Sequence, residues 1–341
     1  MNYFSESTVT NLSQHSLFIK NYPELQNKRL NILKIIHKFA NLPESTKLKY
    51  EHPKSSYSYG WSHGKEKLTD GRTDNAKGSY YANPVFDKLT TDENLKNQFP
   101  CDYSDNIWPT EEVPEMEAAT KDMGKMQVEI TTRLCQQFDQ YLSKVTGGQH
   151  ELGYFEENMI KSFKSRLLHY FPVKNINSVK KPAPSGDVDS SHCGWHLDHS
   201  SLTVLLSPLY LDLNGNTIAP PSDAGLYVKV RDGTNVKVSV PEDCLAVQLG
   251  EAMQVLSGGF LRATPHCVKA SMDVNVSREQ LAMFTACDLS FAMDLPEYAL
   301  SWKKVVECPN LPKGVPPLEG RLTGSKDFCE FADRTYKAYY D

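Results

Sequence analysis

The chain has 341 residues, 40% of them hydrophobic and 23% charged, and a formal net charge of -5, a makeup that suits a globular protein with a large core. The acidic balance excludes a basic stripe for nucleic acid, and no stretch approaches the roughly 20 apolar residues of a membrane span. Its eight cysteines, at 101, 135, 193, 244, 267, 287, 308 and 329, form no Cys-x-x-Cys pair, which disfavours a disulfide framework or zinc knuckle and suits a reducing, cytoplasmic setting.

Residues 1–15 are polar and carry no apolar run of the signal-peptide kind. Leu30, Leu33, Ile36 and Phe39, with Ile32 and Ile35, repeat at helical spacing and predict an amphipathic helix that stops before Pro43. Residues 51–110, rich in Tyr, Gly, Ser, Pro and Asn, read as long loops. Met123, Met126, Ile130, Leu134, Phe138 and Tyr141 predict a second helix over 115–145, ended by Gly147-Gly148. Short β runs follow, predicted at 163–171, 195–206, 224–230, 236–240, 244–249, 252–256, 261–270 and 280–287. Such close-spaced strands, broken by Gly, Pro, Asp and Asn, indicate a sandwich or jelly roll. A last helix is predicted over 326–340. The fold class is therefore mainly β with flanking helices. The expected division is a helical, loop-rich region 1–150, a β domain 160–290 and a C-terminal extension 291–341.

The densest chemistry lies in His196-Leu197-Asp198 and, far along the chain, Thr264-Pro265-His266-Cys267-Val268. Alternation along a strand would point His196 and Asp198 the same way, and a returning strand would bring His266 beside them. Two imidazoles and one carboxylate hold non-haem Fe(II) on one face and leave the opposite face open. Arg278, twelve residues after His266 and ahead of the apolar run Leu281 to Phe284, has the charge and fork geometry to hold a dicarboxylate. His192 and His199 flank the first motif and read as loop residues. Cys193 and Cys267 adjoin ligands, but Cys267 should point to the far side of its strand. Trp61, His63, Tyr80 and Tyr81 read as packing residues.

With these motifs in hand, residues 160–290 resemble the catalytic domain of the iron(II)- and 2-oxoglutarate-dependent oxygenases, in their plant-type, isopenicillin N synthase-like group. The group's His-x-Asp is followed by Leu-Thr-x-Leu, here Leu202-Thr203-Val204-Leu205. Its Gly-Leu-x-Val corresponds to Gly225-Leu226-Tyr227-Val228, and its Gly-Asp-x-x-Gln to Gly250-Glu251-Ala252-Met253-Gln254. Its Ser-Asn-Gly stretch leading to the second His corresponds to 257–268. Upstream, Phe39 to Pro43, Tyr59-Gly60-Trp61 and Ile107-Trp108-Pro109 also resemble the group.

The resemblance implies a double-stranded β-helix (jelly roll) core preceded by a helical N-terminal region. It implies metal ligands His196, Asp198 and His266, and a co-substrate site at Arg278, Gln280 and Tyr170. Its cofactors would be Fe(II) and 2-oxoglutarate, with ascorbate as an accessory. The reaction would oxidise a small organic molecule with dioxygen while 2-oxoglutarate becomes succinate and CO2. A monomer without nucleic-acid or membrane partners is expected.

Several positions depart from the group. Its Arg-x-Ser reads Arg278-Glu279-Gln280, where Gln280 offers an amide donor. Its Asn-x-Tyr aligns with His169-Tyr170-Phe171, so the aligned phenol is lost and Tyr170 replaces it only by facing inward. The group's N-terminal strand and Gly-Phe-Phe-x-x-x-Asn-His-Gly segment are absent, and about fifteen residues, 209–223, enlarge the loop before Gly225. These departures keep open an Fe(II) oxidase that dispenses with 2-oxoglutarate, a non-catalytic binding protein, and a Zn(II) hydrolase.

Overall fold

The computed structural model describes residues 17–66, 73–172, 193–222, 224–271 and 275–340. Residues 1–15 and His192, read above as polar leader and loop, lie outside them.

The chain begins its described course with a short strand, β1 (Leu17–Lys20), and helix α1 (Leu25–Ala40). Ile32, Leu33, Ile36 and Phe39 are fully buried, so the apolar stripe drives the helix onto the sheet. Buried Arg29 donates from Nε and Nη2 to the Ser207 and Pro208 carbonyls, both at 2.6 Å. Two strands follow, β2 (Gly60–His63) and β3 (Lys77–Ala82), and then the long helix α2 (Glu115–Val145). The bounds of α2 are those predicted.

The remaining strands are β4 (Ser162–Tyr170), β5 (Cys193–His196), β6 (Leu202–Leu206), β7 (Leu209–Leu211), β8 (Gly225–Lys229), β9 (Asn235–Val238), β10 (Cys244–Leu249), β11 (His266–Lys269) and β12 (Ser277–Ala286). Helix α3 (Glu251–Leu256) lies between β10 and β11, and the chain ends with α4 (Leu318–Leu322) and α5 (Phe328–Tyr340).

The larger sheet runs β1-β10-β6-β12-β4-β3-β2, with β7 also paired to β12; the smaller runs β5-β11-β8-β9. All of these pairs are antiparallel. Helix α1 packs on β4 and β12, and α2 packs on α1 and β12. A cavity lined from both sheets opens on the other face of the larger one. This two-sheet arrangement is the jelly roll the sequence led one to expect.

Five details differ from expectation. An N-terminal strand, read from the sequence as absent, is present as β1, antiparallel to β10 at the edge of the larger sheet. Residues 252–256 form the helix α3, not a strand; a short, fully buried apolar run has no period to tell the two apart. The strand expected over 195–206 breaks at 197–201, so Asp198 lies in the turn after β5. That expected over 261–270 shortens to β11. Residues 51–110 are not all loop: β2 and β3 extend the larger sheet. Their Ser and Gly positions disguised the pattern. Gly78 is required because a Cβ there would lie 2.1 Å from the Trp61 ring.

Candidate metal centre and co-substrate cavity

His196 and His266 stand opposite each other in the β5–β11 register. Each ring directs Nδ1 at a backbone carbonyl two residues earlier, Gly194 at 2.8 Å and Thr264 at 3.1 Å. With Nδ1 as donor, both Nε2 atoms are left as lone-pair ligands. Asp198 meets them from the turn, its oxygens 3.7 Å from His196 Nε2 and 3.8 Å from His266 Nε2. These separations are too long for hydrogen bonds and suit groups sharing one ion. All three ligand atoms lie within 4.8 Å of one another. Thr203 Oγ1 donates to Asp198 Oδ2 at 2.6 Å and orients the carboxylate.

Electrostatics match the geometry at Asp198 and His266, whereas His196 is held protonated by its neighbours and would give up that proton to bind a metal. Burial would raise the Asp198 carboxyl, but His266 and His196 hold it below its ordinary value. Burial and the neighbouring His196 bring His266 down to about 4, which keeps it unprotonated and available as a ligand. Burial also opposes protonation of His196, yet Cys193 and Asp198 push it up to about 9.

The turn carrying Asp198 is clamped from behind. The Asp198 carbonyl accepts from Glu251 N at 2.8 Å, and Ser201 O accepts from Gly250 N at 3.0 Å. Gly250 approaches so closely that a Cβ would lie 1.8 Å from the Ser200 carbonyl oxygen. Buried Glu251 forms a bidentate pair with Arg321 of α4, both contacts at 2.6 Å. From α5, Tyr339 Oη accepts from Leu197 N at 3.1 Å.

Arg278, on β12, lines the same cavity, whose volume is about 330 Å³. Its register partners are Tyr170 on β4 and Tyr210 on β7, both of which also line the cavity. Tyr170 therefore faces inward, with the Arg278 guanidinium 4.9 Å from its ring centre. The inward positions of β4 are 166, 168 and 170, so Tyr170 rather than the aligned Phe171 supplies the phenol. Arg278 Nη2 donates to Gln280 Oε1 at 2.8 Å, while buried Nε and Nη1 have no partner among the described residues. Gln280 spends its amide on the Leu206 and Leu281 carbonyls, at 2.8 and 3.0 Å. It positions Arg278 instead of offering a donor of its own. Tyr210, within the stretch read as an enlarged loop, escaped the sequence reading.

On the opposite face of β4 and β12, His37, His169 and Glu279 also cluster. Both His Nδ1 atoms lie 2.9 Å from Glu279 Oε1, and Ser277 donates to the same oxygen at 3.0 Å. Those are hydrogen-bond lengths, and buried His169 Nε2 has no partner among the described residues, unlike the outer nitrogen of a typical metal-bound imidazole. This cluster reads as a hydrogen-bonded core.

The flanking residues take ordinary places. His199 packs against Phe328 and Tyr336 of α5. Cys267 is buried and does not line the cavity, whereas Cys193 does, its Sγ 3.8 Å from His196 Nδ1. Trp61 and Tyr80 are fully buried, His63 stacks near Phe171, and Tyr81 lies against Arg166.

Residues 166–286 match the family model described as the 2OG-Fe(II) oxygenase superfamily. No curated protein matches the chain in sequence. Among solved structures, one from Caulobacter crescentus, assigned to the 2OG-Fe(II) oxygenase family, is similar at 17% identity and a TM-score of 0.69, over 97% of this chain and 92% of that one. A full-length Neurospora crassa protein, solved in complex with alpha-KG and thymine, is similar at 17% identity and a TM-score of 0.65, over 98% and 90%. Dioxygenase for auxin oxidation 1 from Arabidopsis thaliana, solved with 2-oxoglutarate, is similar at 15% identity and a TM-score of 0.55, over 85% and 89%. At these identities the likeness establishes the fold. Among the described residues, no helix is long and apolar enough to cross a membrane.

Proposed function

We propose that the chain is a plant-type dioxygenase of the 2OG-Fe(II) oxygenase superfamily, whose family model residues 166–286 match, and that it uses Fe(II) and 2-oxoglutarate to oxidise a small organic molecule in the cavity beside His196, Asp198 and His266. Residues 160–290 are the catalytic unit in this reading. The partners are the small substrate and dioxygen, and the protein works as a cytoplasmic monomer.

His196 Nε2, His266 Nε2 and an Asp198 oxygen would hold the metal, a donor set of two nitrogens and one oxygen suited to Fe(II). When bound, Fe(II) with 2-oxoglutarate supplies an oxidant made from dioxygen, and the keto acid ends as succinate and CO2. The chain's own work is orientation. Arg278 offers an uncommitted N–H, at Nε or at Nη1, to the far carboxylate of the co-substrate, backed by Gln280, with Tyr170 and Tyr210 opposite it on the adjoining strands. Leu168, Leu205 and Phe284 provide apolar wall that keeps the reacting region dry.

The observation that carries the co-substrate assignment is the buried Arg278 guanidinium with two uncommitted N–H edges in the cavity of the triad. A buried charge left without partners costs several kcal/mol (on the order of 3), so a site that had given up its dicarboxylate would not keep it. That weighs against the oxidase without 2-oxoglutarate and against a retired scaffold. The test is turnover without substrate: Fe(II)-loaded protein given 2-oxoglutarate and dioxygen is expected to release succinate slowly, and Asp198→Ala to release none. Metal-dependent dioxygen uptake without succinate would overturn the assignment.

A further inference from the structure

The cavity holds a second guanidinium that the co-substrate does not need. Arg166 shares the inward face of β4 with Tyr170, but it stands opposite Ala282, whereas Arg278 stands opposite Tyr170. The two positions are offset by four residues along the strands, about 13 Å at roughly 3.3 Å per residue. A five-carbon diacid spans roughly 5 Å between its terminal carbons, and the Arg166 head is turned the other way, toward β3. Nε donates to Ser79 Oγ at 3.0 Å, Nη2 to Glu66 Oε1 at 2.6 Å, and the guanidinium lies 5.1 Å from the Tyr81 ring centre. Nη1 has no partner among the described residues.

The group is fixed and permanently charged. Lys77 lies 3.0 Å from Glu66 and 2.7 Å from Asp74, so two cations and two carboxylates balance. Burial would raise the Glu66 carboxyl, but Arg166 and Lys77 bring it down to about 2. Arg166 also lies on the metal side of the sheet. Thr203, which holds Asp198, stands opposite Phe284, two residues from Ala282. Between these polar points the wall is apolar: Leu168, Leu205, Ala282 and Phe284.

Building on the dioxygenase reading, we infer that the primary substrate is a small carboxylic acid with an apolar body, its carboxylate bound by the free Nη1 edge of Arg166 and its body laid beside the metal triad. A rigid guanidinium edge selects a planar carboxylate over a neutral amide. Glu66 already occupies the other edge, which leaves room for one negative charge and repels a phosphate dianion.

The test compares phenylacetate, 3-phenylpropanoate and octanoate with their primary amides by ligand-observed NMR on protein loaded with Co(II) and 2-oxoglutarate. At least one acid is expected to bind ten times more tightly than its amide. The paired variant Arg166→Gln with Glu66→Gln, which leaves no unpaired charge, is expected to abolish that preference while Co(II) and 2-oxoglutarate affinities stay unchanged. Equal binding of acids and amides, no binding of any acid, or a preference that survives in the paired variant would overturn the inference. Failure of the wild-type protein to take up Co(II) and 2-oxoglutarate would instead overturn the dioxygenase reading beneath it.

Discussion

Arg278 and Tyr170 stand opposite each other in the β4–β12 register, with the guanidinium 4.9 Å from the ring centre. Tyr210 stands opposite Arg278 on the other side. A single cation thus has a tyrosine opposite it on each adjoining strand, in the cavity that the His196, Asp198 and His266 cluster also lines. The stacking on Tyr170 removes water from the guanidinium and raises the value of any carboxylate that reaches Nε or Nη1.

Arg278→Gln is expected to keep metal affinity and to weaken 2-oxoglutarate by at least about hundredfold, since two charge-assisted hydrogen bonds of about 1.5 kcal/mol each are lost. Tyr210→Phe, which removes a hydroxyl from the lining of the same cavity, is expected to cost about fivefold. Calorimetry with Co(II)-loaded protein reads both values. Unchanged 2-oxoglutarate affinity in Arg278→Gln would remove Arg278 from the site.

Gln280 hydrogen-bonds Arg278 and the Leu206 and Leu281 carbonyls, which predicts a positioning role. Gln280→Ala removes the acceptor at 2.8 Å from Arg278 Nη2 and frees the Leu206 carbonyl. About tenfold weaker 2-oxoglutarate binding is expected, with metal affinity intact, because about 1.4 kcal/mol of positioning is lost. Gln280→Glu keeps an acceptor for Arg278 but adds charge and loses the amide donor, so it should bind the dianion less well than Gln280→Ala. The reverse order would contradict a positioning role.

Glu279 carries a pH signature. Burial would raise its carboxyl above the ordinary 4.5, but His169 and His37 bring it below. A carboxyl lowered by folding adds stability that is present above 4.5 and is lost as pH falls through the folded value. Glu279→Gln, which accepts at one oxygen only, should destabilise by about 2–3 kcal/mol at pH 7. The gap to wild type should narrow as pH drops below 4.5, measured by denaturant unfolding. A constant gap would contradict the pairing.

How much of this was legible is uneven, for a physical reason. His196, Asp198 and His266 stand in local motifs, and their chemistry could be read before any fold was known. Tyr170 was harder: alignment to a known motif favoured position 171, whereas the antiparallel register with Arg278 decides for 170 and thereby turns Arg166 inward as well. Tyr210 and the Glu66–Lys77–Arg166 group depend on pairings between distant strands, β7 with β12 and β3 with β4. No local pattern announces such pairings. Helix α2 needed none of this, since its own stripe sets its bounds.

The C-terminal helix reaches the turn carrying Asp198 through the hydrogen bond from Leu197 N to Tyr339 Oη and through the packing of His199 on Phe328 and Tyr336. Tyr339→Phe is expected to weaken Co(II) binding by about fivefold, the worth of roughly 1 kcal/mol, with little change in unfolding midpoint. Equal metal affinity would mean that the turn is held without this hydrogen bond.

The central claim is that His196, Asp198, His266 and Arg278 bind Fe(II) and 2-oxoglutarate together. An anaerobic visible spectrum of the Fe(II)-loaded protein, titrated with 2-oxoglutarate, tests it most directly. A saturable charge-transfer band, absent in His196→Ala and shifted to much higher 2-oxoglutarate concentration in Arg278→Gln, is the predicted result. A protein that binds Fe(II) yet develops no band at any 2-oxoglutarate concentration would contradict it.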